Sequence, residues 1–318
     1  MKLGLFGGGF KPFTTGHFAK LANAIRDNDM TYLYYTIQET EPVLYYKRPY
    51  TNRKTGQKFK KGDARPPIQD FRSIGSTGCY DEKCAKDIFS IYERALNNMD
   101  GVRVFPIYTQ AKDEHGNPLK IRSPITAIFT ILDDFLEAQA AGEDYFLDGL
   151  PEPITKITLY GDSDSFKPYM RAPRVMNFLD DPENQGKIQF GAIEATRDDY
   201  IDSERFARKL AASEESALSS LAAYYPDLSR EEIERMKSVR GSQVRSLASK
   251  RVSPPKDLQH LGSDSAEVAK KFLPPFLSDR DKGDIVNILL TQGENSSDKK
   301  EDFNEALIRN LIRGFIRG

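Results

Sequence analysis

The 318-residue chain is poor in cysteine and has almost no net charge. Its two cysteines, Cys79 and Cys84, lack the further cysteines or nearby histidines that a zinc site needs, and we expect both thiols to be reduced. A net charge of −1 at pH 7 argues against a nucleic-acid binder that depends on bulk positive charge.

Long apolar stretches are also lacking. No run of about 18 apolar residues exists, and the N-terminus has no apolar core of the signal-peptide type. The first predicted strand begins at residue 2, which leaves no room for a targeting peptide, so we expect a cytoplasmic protein without a membrane span. Hydrophobic content of 39% and charged content of 29% fit a soluble globular protein with a sizeable core.

The most informative stretch is a glycine-rich turn over residues 7–17. It follows the apolar run 3–6, which is typical of a short buried strand. It precedes apolar residues at i, i+3, i+4 and i+7 over 18–25, which predict one face of a helix. Glycines between a strand and a helix allow backbone N–H groups to approach a ligand, and a helix N-terminus favours phosphate.

The spacing within this turn is more specific than its glycine content. Neither the dinucleotide-binding glycine pattern nor the phosphate-loop pattern is present. What is present is Gly8-x-Phe10-x-Pro12-x-Thr14-x-Gly16-His17. This resembles the signature of the nucleotidyltransferase superfamily with a Thr/His-x-Gly-His motif, which includes cytidylyltransferase-like and adenylyltransferase enzymes. The resemblance implies that Gly8, Gly9 and Phe10 bind the nucleotide and that Thr14 and His17 face its phosphates.

A second stretch, residues 239–245, resembles the other signature of that superfamily, Ile-Ser-Ser/Gly-Thr-x-Val-Arg. The resemblance places Ser242 at a hydroxyl that contacts the triphosphate from a helix N-terminus, and Arg245 at the arginine beside it. We expect Ser242 to cap the next helix and Arg245 to project one turn later.

A third candidate segment follows the predicted fourth strand, where Gly161, Asp162 and Asp164 form a turn. Ligands bind beyond the carboxyl ends of parallel strands, where such carboxylates could hold ribose hydroxyls. The segment is similar to the family's turn that lines the nucleoside site. It is also compatible with a simple helix cap.

Two residues depart from the family pattern. Lys11 occupies a position where many members have Asp or Asn, and Thr14 one where many have His. A lysine at position 11 could bind phosphate directly or could disturb the site. The implied roles are stabilisation of the α-phosphate by His17 and Thr14, and binding of the β- and γ-phosphates by Lys11, Ser242 and Arg245.

The alternation of predicted strands and helices indicates an α/β fold: a Rossmann-like open parallel sheet of about five strands with helices on both faces. We expect the α/β domain to span residues 1–252 and a helical C-terminal extension to span 253–318. Residues 38–82 form a basic insertion, a candidate lid over an anionic ligand. The predicted strands are 3–6, 30–37, 102–107, 156–160 and 187–193.

The resemblance implies transfer of a nucleoside monophosphate from ATP or CTP to a phosphorylated small-molecule acceptor, with release of pyrophosphate. Mg²⁺ would arrive with the triphosphate, so no dedicated metal site is expected. Such a reaction needs positioning and charge stabilisation and no protein nucleophile. No nucleic-acid partner is expected, and homo-oligomerisation stays open.

Three alternatives also stay open. The chain could be a nucleotide-binding protein without catalysis, or an assembly protein that uses its last helix. A class I aminoacyl-tRNA synthetase shares the motif, but residues 249–251 are a poor match to the Lys-Met-Ser-Lys-Ser loop. The choice between ATP and CTP and the identity of the acceptor are not determined by the sequence.

Overall fold

The computed structural model describes residues 1–10, 12–37, 49–51, 58–60, 82–108, 114–115, 119–121, 123–161, 163–191, 203–248, 254 and 261–291. Five strands form one sheet in the order β5-β2-β1-β6-β7, and every neighbouring pair is parallel. A separate antiparallel pair, β3 and β4, lies within the basic insertion. The strands are β1 (Lys2–Gly8), β2 (Met30–Ile37), β3 (Tyr50–Thr51), β4 (Lys58–Phe59), β5 (Val102–Tyr108), β6 (Lys156–Tyr160) and β7 (Ile188–Phe190).

Helices cover both faces of the sheet, which confirms the predicted α/β class. None of the helices in the described ranges combines the length and apolar character needed to span a membrane. The helices are α1 (Thr15–Asp27), α2 (Glu82–Leu96), α3 (Pro124–Ala141), α4 (Ser163–Met170), α5 (Pro173–Asp180), α6 (Ser203–Ala222), α7 (Arg230–Ser238), α8 (Gly241–Ala248), α9 (Ser265–Lys271) and α10 over 279–291.

Alternation along the central strands divides the core in two. Leu3 and Leu5 of β1 point to the face covered by α3, α4 and α5, whereas Phe6 points to the face covered by α1 and α2. Successive side chains of a strand lie on opposite faces, and both faces are buried here. This explains why β1 and β2 have apolar runs instead of a polar-apolar alternation.

The strand order places a switch point beside β1. The chain runs from β1 outward to β2 and β5, and then returns to β6 on the other side of β1. Phe6 of β1 pairs with Tyr160 of β6, so both strands end at the same edge. In open α/β sheets, a crevice for ligands forms at this point, beyond the carboxyl ends of the strands.

The segment after residue 253 contributes to the main core. Phe272 and Leu273 are fully buried together with residues of α1, and Ile285 of α10 is buried in the same cluster. The carbonyl oxygen of Phe272 accepts hydrogen bonds from the Thr15 N–H, at 2.9 Å, and from Thr15 Oγ1, at 3.1 Å. Residues 265–291 are therefore integral to the fold, contrary to the expectation of a peripheral extension. The domain boundary at residue 252 stays a prediction.

The structure bears on two further expectations, the state of the cysteines and the lid over residues 38–82. Cys84 is buried and disulfide-bonded, so the expectation of a reduced thiol is wrong for this residue. The proposed lid over 38–82 lies almost entirely outside the described residues, apart from Lys60 and the β3–β4 pair. The last helix that the assembly alternative needs was predicted from residues that also lie outside the described ranges.

The end of β1 meets the start of α3 at close range. Ser123 caps α3, because its Oγ accepts a hydrogen bond from the Thr126 N–H at 3.2 Å, and Pro124 occupies the first helical position. A Cβ added to Gly7 would lie 2.5 Å from the Cβ of Pro124. Gly7 is therefore required by this helix–strand contact.

Substitution of Gly7 by Ala should overpack this contact and lower the free energy of unfolding by about 1–3 kcal/mol. Gly9→Ala is the matched control, because a Cβ there has nothing within 4 Å, and it should change stability by less than about 0.5 kcal/mol. Chemical denaturation of both variants measures the difference. Equal stability of the two variants would contradict the packing role of Gly7.

Candidate functional site

Packed aromatic side chains, as well as glycines, set the conformation of the turn after β1. Phe10 has a backbone φ of +37°, an unusual conformation for a residue with a side chain. Its ring is buried against Phe13 and lies 5.2 Å from the His17 ring, centroid to centroid. A Cβ added to Gly8 would meet the Phe10 ring at 2.7 Å. Gly8 thus allows Phe10 to fold back and support His17.

Thr14 and His17 are joined at the start of α1. The Thr14 N–H donates a hydrogen bond to His17 Nδ1 at 3.0 Å, and Thr14 Oγ1 lies 3.0 Å from the same nitrogen. His17 therefore caps the helix in the manner of a capping box. Because Nδ1 is an acceptor, the neutral imidazole carries its proton on Nε2. The His17 ring is thereby held as a donor at the nitrogen farther from the backbone.

Backbone N–H groups of this turn bind mainly within the protein. The Phe13 N–H donates to the Tyr92 hydroxyl at 2.8 Å, the Thr14 N–H to His17, and the Thr15 N–H to the Phe272 carbonyl. At Gly16, which lies at the surface of a cleft, the N–H has no hydrogen-bond partner among the described residues.

The cleft has a volume of about 970 Å³ and brings distant parts of the chain together. One wall is the start of α1, with Thr14, Gly16 and His17. The other walls are α6, the end of α7 and the start of α8. Its remaining lining residues are Lys20, Ala211, Glu214, Glu215, Leu218, Glu234, Lys237, Ser238, Val239, Arg240 and Gly241.

The contact between α1 and α7 depends on Gly16. A Cβ at this position would lie 2.3 Å from the carbonyl oxygen of Lys237, well inside van der Waals contact. The opposing atom is backbone and has little freedom to move. The glycine of the Thr-x-Gly-His pattern is thus needed for packing against the end of α7.

The second signature begins at the same cleft. Val239, Arg240 and Gly241 line it, and α8 starts at Gly241. The Arg240 N–H donates to Gln243 Oε1 at 2.8 Å, while the Arg240 carbonyl accepts from the Gln243 N–H. Arg240 and Gln243 therefore form the cap that was expected of Ser242.

Ser242 lies inside the first turn of α8 instead of before it. Arg245 is half-buried one turn later on the same helix. Their phosphate-binding roles stay predictions. The structure brings the residue just before Ser242 into one cleft with His17, although some 225 residues separate the two segments.

A group of three charged residues crosses the cleft. The Glu214 carboxylate lies 3.3 Å from Lys20 Nζ through one oxygen and 2.5 Å from Lys237 Nζ through the other. Lys20 also donates to the Gly161 carbonyl at 2.8 Å, which ties α1 to the end of β6. Both lysine side chains are only 19% exposed. Two half-buried cations therefore share one carboxylate.

Burial by itself raises the pKa of the Glu214 carboxyl. Hydrogen bonds and charge from Lys237 and Lys20 outweigh that effect, and the pKa lies below the ordinary glutamate value. Glu214 is therefore ionised at neutral pH and holds both lysines in place.

The other acids at the cleft have partners of their own. Glu215 and Glu234 pair with Arg230, at 2.6 Å and 3.1 Å. These three side chains are at least half exposed, so the pairs contribute little to stability. Because Glu215 and Glu234 share one arginine, this exposed group carries one net negative charge. Lys20, Lys237 and Glu214 carry one net positive charge and are less exposed, and Arg240 is exposed on the rim.

Other predicted site residues are placed only in part. Gly161 follows β6 and contacts Lys20, which brings the third candidate segment next to α1. Asp162 and Lys11 lie outside the described residues, and Asp164 lies in the first turn of α4 without a described side chain. Gly9 is exposed within the turn. Of the positions that the structure describes, Gly9 and Gly161 do not line the cleft.

Three charged residues of the cleft, Lys20, Glu214 and Lys237, were not predicted from the sequence. Lys20 follows His17 by three residues, a spacing that puts both on one face of a helix, and this signal was available. Lys237 lies just before the second signature. Glu214 had no local signal, because its position beside the two lysines depends on how α6 packs.

No model of a known protein family matches the chain, and no curated protein matches it. Among solved structures, it is similar at a low level to a crystal structure of the NadR protein in complex with NAD and AMP-PNP, and to another of NadR in complex with NR. Both matches show 12% identity and a TM-score of 0.27, and they cover 92% of this chain and 78% and 76% of the NadR chains. Similarity this low says nothing about what this chain binds.

The lowered pKa of Glu214 predicts a specific pH dependence. A carboxyl whose pKa is lower in the folded than in the unfolded chain stabilises the fold above its unfolded pKa, and this contribution is lost as pH falls through the folded pKa. Glu214→Gln should therefore be less stable than wild type at pH 7, and the difference should shrink as the pH falls below the ordinary glutamate pKa and through the folded pKa.

Chemical denaturation across this pH range measures the effect. Glu267→Gln is the control, since Glu267 is an exposed residue of α9 whose charged partner among the described residues is Lys270. A difference for Glu214→Gln that stays constant with pH would show that the carboxylate does not stabilise the fold through its charge.

Proposed function

We propose that this chain is a nucleotidyltransferase that moves a nucleoside monophosphate from ATP or CTP to a phosphorylated small-molecule acceptor. The observation that supports it best is the convergence of the Thr14–His17 turn and the Val239–Gly241 segment on one cleft. These segments carry the two sequence signatures. The first of them follows β1, whose end lies at the switch point of the parallel sheet, where ligands of such folds bind.

The chemistry requires little of the protein beyond position and charge. An oxygen of the acceptor phosphate attacks the α-phosphorus, the bond between that phosphorus and the bridging oxygen to the β-phosphate breaks, and pyrophosphate leaves with the bonding electrons. No protein nucleophile takes part. Groups that stabilise the growing negative charge supply the catalysis.

His17 is suited to this role by its tautomer. Nδ1 is occupied by the Thr14 N–H, so Nε2–H is the ring donor for a phosphate oxygen. The Phe10 and Phe13 rings lie 5.2 and 5.5 Å from the imidazole and restrict its rotation. A donor held in place before the reaction stabilises charge at little reorganisation cost. Lys20 and Lys237 add positive charge to the same cleft.

Mg²⁺ would have to be bound largely through the phosphates. Among the residues that the structure describes, no three His, Cys, Asp or Glu side chains are grouped to hold a metal ion. The three glutamates of the cleft are each paired with lysine or arginine. When bound with the nucleotide, Mg²⁺ would supply charge neutralisation.

Pyrophosphate release from ATP and from CTP, measured with a panel of phosphorylated acceptors, tests the proposal. His17→Asn keeps an acceptor near the position of Nδ1, and with it the helix cap, but removes the donor at Nε2. We expect this variant to fold like wild type and to lose turnover by about a hundredfold. His17→Gln retains a donor near Nε2 and should lose less.

Turnover that is unchanged in His17→Asn would refute the role of His17. Absence of pyrophosphate release with every acceptor, combined with nucleotide binding, would favour a nucleotide-binding protein without catalysis. One observation supports that second candidate: the N–H groups of Phe13, Thr14 and Thr15 are already used within the protein.

A further inference from the structure

The charge arrangement between α1, α6 and α7 is a feature that the reaction alone does not explain. Lys20 and Lys237 come from different helices, and each directs its ammonium group to the same carboxylate. Lys237 Nζ also donates to the Glu214 carbonyl at 3.1 Å. One carboxylate between two half-buried ammonium groups leaves an excess of one positive charge.

Excess positive charge on two side chains of low exposure favours an anion with more charge than a carboxylate. A phosphate group has two or three charged oxygens and can accept from both lysines at once. The Glu214 carboxylate already makes this pair of contacts, one oxygen to each lysine. Its geometry therefore resembles the one that a bridging phosphate would adopt.

We propose that Glu214 stands in for a phosphate of a polyphosphate ligand, and that the ligand displaces it from Lys20 and Lys237. The inference rests on the proposed function for the identity of the ligand, a nucleoside triphosphate or its pyrophosphate product. It adds two phosphate-binding residues to the site. It also gives Glu214 the role of a competitor that weakens the binding of any anion.

Glu214 has a second consequence for selectivity. A ligand with one phosphate gains little by replacing a carboxylate that is already well placed. A longer polyphosphate reaches Lys20 and Lys237 while it also contacts His17 and Gly16, which line the same cleft. Competition by Glu214 therefore discriminates against monophosphates and orthophosphate.

Titration calorimetry with inorganic tripolyphosphate, pyrophosphate and orthophosphate tests this without any need for catalysis. Glu214→Gln should bind tripolyphosphate at least about tenfold more tightly than wild type, because the competing charge is gone. Glu214→Asp keeps the charge and should stay close to wild type. ATP and CTP, titrated in parallel, show whether the nucleoside adds affinity.

Lysine variants provide an independent measurement, which also covers the case in which Glu214→Gln does not fold. Lys237→Met and Lys20→Met should each lower tripolyphosphate affinity by at least about fivefold. Lys270→Met is the matched control, since Lys270 pairs with Glu267 on α9 and does not line the cleft. It should leave affinity unchanged.

Equal tripolyphosphate affinity in wild type, Glu214→Gln and Lys237→Met would overturn the inference. If that result accompanies pyrophosphate release from ATP or CTP, the proposed function stands and this inference fails. If the expected order of affinities appears without any pyrophosphate release, the phosphate site stands and the transferase proposal fails. The two proposals are therefore separable.

Discussion

The close approach of α1 to the end of α7 is the constraint on which the candidate site depends. Gly16 has no Cβ, and the Lys237 carbonyl occupies the space that a Cβ would need. The N–H of the neighbouring residue, Thr15, donates to the carbonyl of Phe272, which follows α9. Two successive residues at the start of α1 therefore contact α9's C-terminal end and α7. The cleft takes its shape from these contacts.

The close packing of α1, α6 and α7 also decides the charge arrangement of the cleft. With helices α1, α6 and α7 this close, Lys20 and Lys237 are only 19% exposed, and an unpaired ammonium group there would be costly. Glu214 offsets that cost and at the same time joins the three helices. In the phosphate site that we propose, stability and ligand binding compete for one pair of cations.

The fold was largely predictable because its signals are local. Buried parallel strands produce apolar runs, and Ser123-Pro124 and Ser229 mark helix starts, at Ser229 with a capping box to Glu232. Two short helices, α4 and α5, were not predicted, and Pro168 lies within the first of them. The fifth strand is shorter than predicted, since β7 spans Ile188–Phe190. The placement of Phe272 in the main core could not be predicted, because an apolar residue does not specify which surface will bury it.

The sequence alone determined the class of the sheet and the strand–turn–helix at the N-terminus. It also showed the two signatures, at residues 8–17 and 239–245. These follow from the periodicity of apolar residues and from residue types at fixed spacing, which act over a few positions. The tertiary structure decided that segments of the two signatures share a cleft and that Glu214 lies between Lys20 and Lys237. Those relations join residues from different helices, and only the packing of the helices brings the charges within reach of each other.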